Sequence, residues 1–173
     1  MTSIRPVRSG DAPAIAELRR KHREYLAPWE PARSEEHFTD EHVEAGLAAA
    51  VANAEAGTGH TFAILDEGRL VGQVMLNSVI RGAFQSCSIG YWVAESEAGR
   101  GIATEAVRLA KAVAFGELGL HRVQGETLVH NTGSQKVLER NGFVRYGLAE
   151  RYLKIAGRWQ DHVLYQVIAP DGE

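Results

Sequence analysis

The sequence predicts an α/β fold in which helices cover both faces of one mixed, mostly antiparallel sheet. Three observations support this fold class. The pair Glu67-Gly68 separates two apolar runs and indicates a β-hairpin. Apolar residues between positions 103 and 114 recur with the spacing of an amphipathic helix. Near the carboxyl end, Ala156-Gly157 lies between two strand-like segments and indicates a second hairpin.

In the first half of the chain, two helical stretches are predicted among the strands. Asp11 is expected to cap the first helix, whose first turn tolerates Pro13. The prolines of the Pro-Trp-Glu-Pro segment at 28–31 restrict the backbone and predict a rigid, non-helical loop. Ser34 is expected to begin the second helical stretch, which ends near Gly57. The predicted strands of this half are 4–8, 61–66, 69–79 and 85–93.

In the second half, two more helices and three more strands are predicted. The amphipathic helix begins at Ala103, directly after a glycine-rich loop. Asn131 is a favourable N-cap for the next helix, and Asn141-Gly142 is a strong stop signal for it. The remaining predicted strands are 122–128, 144–155 and 158–167, which brings the sheet to about seven strands.

Composition indicates a globular protein. A chain of 173 residues with 45% hydrophobic and 24% charged residues predicts a single domain over 1–173. The net charge of −3 argues against direct binding to nucleic acid. We expect a cytoplasmic protein with no membrane partner, because no signal-peptide core or membrane-spanning apolar run is apparent. Cys87 is the only cysteine, which excludes an intrachain disulfide, and its apolar strand predicts an inert core residue.

The loop Gly99-Arg100-Gly101 joins the end of a predicted strand to the start of a predicted helix. Such a loop presents unpaired backbone N–H groups and the positive end of the helix dipole, which suits a phosphate group. A P-loop is excluded because the sequence lacks a GxxxxGK run followed by serine or threonine. A dinucleotide fingerprint is disfavoured because Glu105 lies where the third glycine would be. The pyrophosphate loop of an acyl-CoA-dependent acetyltransferase is the third interpretation.

With these motifs the chain resembles the GNAT superfamily of N-acetyltransferases. The pyrophosphate motif of that superfamily falls on 98–103, and its capped helix with an Asn-Gly-Phe ending falls on 131–143. Ala98 departs from the family pattern, which usually has glutamine or arginine at this position. The segments at 26–31, 79–84 and 152–164 are similar to the RimJ/RimL branch, and within it to the ribosomal-protein-alanine acetyltransferases of the RimJ type.

The resemblance implies acetyl-CoA as the cofactor and a GNAT fold whose sheet is splayed at the acyl-CoA site. Backbone groups of Trp92, Val93 and Ala94 would pair with the pantetheine arm, and one N–H would polarise the thioester carbonyl. The Ser134 hydroxyl would assist the departing thiolate. Asn131 would border the pantetheine. The pyrophosphate would bind the loop and first helical turn, with the Arg100 side chain adding positive charge. The residues of this loop and turn are Gly99, Arg100, Gly101, Ile102, Ala103 and Thr104.

The resemblance also implies an amine acceptor. The expected acceptor is the N-terminal α-amine of a protein that begins with alanine or serine, such as a ribosomal protein. An α-amine has a pKa of about 7.7–8.0, against about 10.4 for lysine, so it needs only a weak base or a water relay. The candidate bases are Glu30, Glu126 and Glu150. A RimL-type carboxylate in the penultimate strand does not carry over, because Leu153 occupies that position. Trp29 and Glu30 are expected to form a gate for the acceptor terminus.

Two other functions remain open from the sequence. One is acetylation of a small amine, such as a polyamine, amino acid or antibiotic. The other is a non-catalytic acyl-CoA-binding regulatory module, which the substitution at Ala98 keeps open. No metal site is expected, because HxH and HExxH spacings are lacking, and we expect His37 and His42 at the surface. The oligomeric state stays open between monomer and homodimer.

Overall fold

The computed structural model describes residues 1–170, which form a seven-stranded sheet in the order β1-β2-β3-β4-β5-β7-β6. The strands are Thr2–Pro6 (β1), His60–Asp66 (β2), Arg69–Ile80 (β3), Ser86–Val93 (β4), Arg122–Leu128 (β5), Val144–Ile155 (β6) and Arg158–Ile168 (β7). The pair β4–β5 is parallel and the other neighbours are antiparallel. The predicted mixed, mostly antiparallel sheet is therefore confirmed.

Helices lie on both faces of this sheet. They are Ala12–Lys21 (α1), Arg23–Leu26 (α2), Asp40–Ala56 (α3), Ile102–Ala112 (α4) and Thr132–Arg140 (α5). Helices α1 and α3 pack on one face over a core that includes Ile15 and Leu47. Helices α4 and α5 pack on the other face, over a larger core that includes Val107 and Leu138. Across residues 1–170, no helix combines the length and apolarity that crossing a membrane requires.

Three local predictions in the first half were wrong. The first strand ends at Pro6 rather than residue 8, because a 3₁₀ turn, Ser9–Asp11, follows it. Asp11 lies at the N-cap position of α1, but its carboxylate accepts hydrogen bonds from the Arg5 guanidinium and the Arg8 backbone N–H. The segment at 28–31 is not wholly non-helical, since Ala27–Trp29 forms a 3₁₀ turn. Proline is compatible with such a first turn because its missing N–H needs no partner there.

Helix α3 begins later than the sequence suggested. The chain after Ser34 first forms a 3₁₀ turn, Glu35–Phe38, and Thr39 then caps α3 by accepting a hydrogen bond from the His42 backbone N–H. The helix ends at Gly57, whose φ of +71° is the left-handed conformation expected of a C-terminal glycine. The end of this helix was therefore predicted from its glycine, and its start was not.

The sheet opens between its two parallel strands. The pairing of β4 with β5 runs from Ser86–Arg122 to Ile89–Gly125, and no further pairs are formed within the described chain. Strand β4 continues to Val93 and β5 to Leu128, so the last residues of both strands border a gap. Unpaired backbone groups at such a gap can bind an extended ligand as an added strand would. The splayed sheet expected from the resemblance is present.

Candidate active site

The glycine loop places unpaired N–H groups at the amino end of α4. The first intrahelical hydrogen bond runs from the Glu105 N–H to the Gly101 carbonyl, so the N–H groups of Ile102, Ala103 and Thr104 have no helical acceptor. Gly99 and Gly101 have φ angles of +77° and +79°. A side-chain carbon added to either glycine would contact no atom within 4 Å among residues 1–170, so the space beside both glycines is open. These features fit a bound pyrophosphate.

The Arg100 side chain corrects one expectation. Its guanidinium donates to the carboxylates of Glu97 and Asp66, both of which are buried. The hydrogen bond to Glu97 raises the pKa of Arg100 further above its ordinary value. The side chain is thus committed to holding the loop against β2, and it does not add free positive charge to the cradle. Asp66 is 34 residues away in sequence, so the pairing could not be read from the loop motif.

Positive charge near the cradle comes instead from α5. Lys136 and Arg140, one helical turn apart, line a cavity of about 230 Å³ together with Gly99, Gly101 and Thr104. The i, i+4 spacing puts both side chains on one helix face. The sequence analysis missed these two residues, although their spacing after the Asn131 cap was a usable signal. The carboxyl half of α5 thus faces the loop across the cavity.

The direction of the backbone N–H and carbonyl groups along β4 shows which of its residues can reach a ligand in the gap. The Ala94 N–H donates to the Val71 carbonyl at 2.8 Å, so it points toward β3. Hydrogen-bonding direction alternates along an antiparallel strand, so Trp92 also points its N–H and carbonyl toward β3. Tyr91 and Val93 then direct theirs toward the gap. Of the three predicted residues, only Val93 directs its backbone groups into the gap, and Tyr91, which was not predicted, does so as well.

A second cavity, of about 420 Å³, runs along the gap between β4 and α5. It is lined by Val93, Ala98, Gly99, Asn131 and Ser134, among others, and shares the glycine loop with the smaller cavity. We call the two together the donor channel. Nine of the eleven predicted cofactor residues therefore line the donor channel, whereas Ala94 and Arg100 line neither of its two cavities.

Asn131 and Ser134 occupy the first turn of α5 at this channel. The Asn131 side-chain oxygen accepts from the Ser134 backbone N–H at 3.1 Å, which is the predicted N-cap. The Ser134 hydroxyl lies 2.7 Å from the hydroxyl of Tyr91. Ser134 therefore contributes only its backbone N–H to the cap, and its hydroxyl is paired with the Tyr91 hydroxyl.

Tyr91 is a further polar residue at the channel that the sequence motifs did not predict. Burial raises the pKa of its phenol to about 12, an effect that the hydrogen bond with Ser134 partly offsets. The phenol is thus fully protonated near neutral pH and remains available as a hydrogen-bond donor. Side chains alternate between the two faces along a strand, so the rings of Tyr91 and its neighbour Trp92 project to opposite faces of the sheet.

On the other side of β4 lies a third cavity, of about 460 Å³, which we call the acceptor cavity. Helices α1 and α3 and strand β3 contribute to its lining, including Arg19, Val43 and Gln73. Four residues border both this cavity and the donor channel: Leu26, Trp29, Tyr91 and Trp92. We call these four residues the shared wall. The sequence predicted only Trp29 and Glu30 at an acceptor site, and the contributions of α1, α3 and β3 were not predicted.

The predicted gate residues lie at the acceptor cavity. Trp29 stacks against His130 with ring centroids 5.5 Å apart, and Glu30 lines the cavity. The Glu30 carbonyl accepts from the Ala156 N–H, which ties the 28–31 segment to the turn between β6 and β7. The expectation that His37 lies at the surface was wrong. His37 is 9% exposed and lines the same cavity.

The other candidate bases lie apart from Glu30. Glu126 is the first β5 residue after the last pair with β4, and its carboxylate accepts from Gln124 at 2.6 Å and from Tyr152. Glu150 is exposed in the irregular part of β6 and lines neither the donor channel nor the acceptor cavity. Cys87 is buried, and burial raises the pKa of its thiol to about 11, which fits the predicted inert core residue.

Comparison with known proteins agrees with this geometry. Residues 2–144 match the family model of the acetyltransferase (GNAT) domain. The chain therefore belongs to the GNAT family and is an N-acetyltransferase of that family. The predicted GNAT fold is confirmed.

Individual relatives narrow the resemblance to one branch. The chain is 35% identical to the probable N-acetyltransferase YjcK of Bacillus subtilis over 172 residues, 98% of this chain and 95% of the relative. It is 32% identical to the ribosomal protein uS5-alanine N-acetyltransferase of Escherichia coli, over 97% of this chain and 88% of the relative. Its structure superposes on Mycobacterium smegmatis RimJ, solved in complex with CoA-disulfide, with a TM-score of 0.94 and 36% identity, covering 97% and 82% of the two chains.

Proposed function

We propose that this chain transfers the acetyl group of acetyl-CoA directly to the N-terminal α-amine of a protein that begins with alanine or serine. The shared wall carries the proposal, because the donor channel and the acceptor cavity meet there from opposite sides of β4. Direct transfer requires the two reactants to be held in contact, and it needs no covalent enzyme intermediate.

The donor channel fits acyl-CoA in three successive parts. The N–H groups at the start of α4 suit the pyrophosphate, with Lys136 and Arg140 supplying positive charge. The backbone groups of Val93 and Tyr91 suit the amides of an extended pantetheine arm. The Ser134 and Tyr91 hydroxyls lie farther along, at the end that adjoins the shared wall.

When bound, acetyl-CoA supplies a thioester whose carbonyl carbon accepts the amine and whose thiolate leaves. The Val93 N–H, directed into the gap, would donate to the carbonyl oxygen as negative charge develops on it. The Ser134 hydroxyl would donate its proton to the sulfur as the carbon–sulfur bond breaks. Tyr91, protonated at neutral pH and 2.7 Å away, would hold that hydroxyl in position and can return a proton to it.

The amine must lose a proton before it attacks. At pH 7 roughly a tenth of an α-amine with a pKa near 8 is already neutral, so a strong base is unnecessary. Glu30, in the acceptor cavity, would attract the ammonium form and pass its proton to water. Glu126 is the second route, and the exposed Glu150 is the weakest of the three candidates.

Two relatives support a ribosomal protein terminus as the acceptor. The Escherichia coli relative is named for acetylation of an alanine on ribosomal protein uS5, and RimJ of Mycobacterium smegmatis was solved with a CoA-derived ligand. At this level of identity the branch supports the chemistry and the class of acceptor. Which protein supplies the terminus is the part that the following experiment tests.

The test measures CoA release with peptides beginning in alanine or serine, with the same peptides N-terminally blocked but carrying a free internal lysine, and with polyamines. We expect turnover of the free α-amines only, and kcat/KM that rises with pH and levels near the amine pKa of about 8. Mass spectrometry that places the acetyl group on lysine side chains, or turnover of polyamines alone, would overturn the proposed acceptor.

Trp29 provides a matched test of the gate. Trp29→Ala should raise KM for the peptide while leaving acetyl-CoA affinity within about twofold of wild type. Trp159→Ala removes another tryptophan, 61% exposed near the β6–β7 turn and outside the shared wall, and should leave both parameters unchanged. Equal effects of the two substitutions would remove Trp29 from the acceptor site.

A further inference from the structure

The acceptor cavity carries more positive charge than amine binding requires. Arg19 and Arg33 both line it, and Glu30 is the carboxylate that lines it within the described chain. Burial lowers the pKa of Arg19 and has the largest effect, the charge of Glu30 raises it, and the charge of Arg33 lowers it. A protonated amine entering this cavity alone would face a net repulsive charge.

Neither arginine is neutralised by an ion pair. Within residues 1–170 no carboxylate oxygen lies within 4.0 Å of the charged nitrogens of Arg19 or Arg33. Neighbouring arginines on the same helical segment differ, since Arg20 is paired with Asp40 and Arg23 with Glu35. Arg19 donates a single hydrogen bond of 3.3 Å, to the Gln73 side-chain oxygen. Most of its donors therefore remain available to a ligand.

Gln73 fixes Arg19 close to the reacting end of the cavity. The Gln73 side-chain oxygen also accepts from the Trp92 indole N–H at 3.2 Å, and Gln73 itself is 4% exposed. Trp92 belongs to the shared wall, so two hydrogen bonds connect Arg19 to the place where amine and thioester would meet. Because an extended chain advances about 3.3 Å per residue, a peptide's second or third residue would lie near the arginines.

His37 strengthens the same preference without contributing charge. Burial, followed by the nearby Arg19 and Arg33, lowers the pKa of His37 to about 4. At neutral pH its ring is uncharged, and it can bind a ligand oxygen or nitrogen only as a neutral group. The cavity therefore combines two guanidinium groups, the imidazoles of His37 and His42, and one carboxylate.

We infer that Arg19 and Arg33 form a carboxylate-binding subsite that selects acceptors with an acidic group two or three residues from the acetylated amine. The inference rests on the proposed α-amine acetylation and names its substrate class. Guanidinium groups bind carboxylates with charge-assisted, often bidentate hydrogen bonds. Glu30 would then hold the ammonium end and the arginines the acidic end of the same acceptor.

The test compares kcat/KM for peptides that begin with alanine and carry glutamate, glutamine or lysine at position two or three. Wild-type enzyme should prefer glutamate over glutamine by about tenfold, and lysine should be poorest. Arg33→Gln, at an exposed position that tolerates substitution, should reduce the glutamate preference severalfold, whereas Arg33→Lys should retain part of it. Arg19→Gln should also reduce the glutamate preference, and Arg19→Lys, which keeps the positive charge, is the second variant if Arg19→Gln does not fold.

Arg145→Gln is the matched control, because Arg145 is exposed on β6 and lies outside the acceptor cavity. It should keep the full glutamate preference. Equal kcat/KM for the three peptides, or an unchanged preference in Arg33→Gln, would overturn the subsite while leaving α-amine acetylation intact. Free amino acids and their amides form the other arm. Turnover of free amino acids in preference to their amides, with no peptide turnover, would overturn both the protein acceptor and the spacing of two or three residues.

Discussion

Replacement of Gly101 by valine should separate cofactor binding from backbone strain. Gly101 has a φ of +79°, which a β-branched residue adopts at a cost of about 1–3 kcal/mol. No atom within 4 Å, in the part of the chain that the structure describes, would clash with the added carbon. The substitution should therefore lower the free energy of unfolding modestly and leave the fold intact.

The effect on the cofactor should be larger. Valine at this position would displace a phosphate from the N–H groups of α4 or rotate the loop away from it. A hydrogen bond to a charged group contributes about 1.5–3 kcal/mol, and a charge at a helix end about 0.3–1 kcal/mol. Loss of one such hydrogen bond and the helix-end interaction gives about 2–4 kcal/mol, which weakens the Kd for CoA about 30- to 1,000-fold.

Gly57→Val provides the control. Gly57 has a φ of +71°, a side-chain carbon there would meet no described atom within 4 Å, and it lines neither the donor channel nor the acceptor cavity. Urea unfolding should show similar losses of stability for both variants, while calorimetry should show weakened CoA binding for Gly101→Val alone. A Kd for CoA within about twofold of wild type in Gly101→Val would refute the pyrophosphate assignment.

The hydroxyl pair and the buried histidine give two further predictions. Ser134→Ala should lower kcat about ten- to a hundredfold with little change in acetyl-CoA KM, and Tyr91→Phe should add little in the double variant. Wild-type turnover of Ser134→Ala between pH 6 and 9, or an equal loss in the exposed Ser9→Ala, would show that the Ser134 hydroxyl takes no part in the reaction. For His37, the folded-state pKa of about 4 lies below the ordinary 6.5, so the unfolded chain binds more protons between these values. Stability should therefore be complete above about pH 6.5 and fall as the pH drops to about 4. The check is the decrease in the urea unfolding midpoint between pH 7.5 and pH 5, which should be smaller in His37→Gln than in wild type. An equal decrease in the two proteins would contradict this prediction.

Features governed by neighbouring residues were predictable from the sequence. The Glu67-Gly68 turn joins β2 to β3 with Asp66 opposite Arg69, and both turn residues have positive φ as a two-residue hairpin requires. The Asn131 cap formed as predicted, with the Ser134 N–H as its donor. In each case the hydrogen bonds or dihedral angles involve residues at most three positions apart, so the local sequence specifies them.

Features that depend on distant partners were not predictable in this way. The motif predicted that the Arg100 side chain contacts a phosphate. In the structure it donates hydrogen bonds to Glu97 and to Asp66, a residue of β2 that is 34 positions away in sequence. The sequence around His37 does not indicate burial, which follows from the packing of its 3₁₀ turn against α1 and α3. The direction of each backbone N–H in β4 likewise depends on which edge pairs with β3.

The sequence by itself determined the α/β order of elements, the glycine cradle and the capped helix, because these follow from local backbone preferences and side-chain periodicity. Only the tertiary structure decided that Tyr91 meets Ser134 and that Arg19 remains without an ion pair in the described chain. It also decided that the donor channel and the acceptor cavity meet at a shared wall. The physical reason is that contacts across a sheet join residues whose separation in sequence carries no periodic signal. Their charges and hydrogen bonds are fixed only when the strands and helices pack.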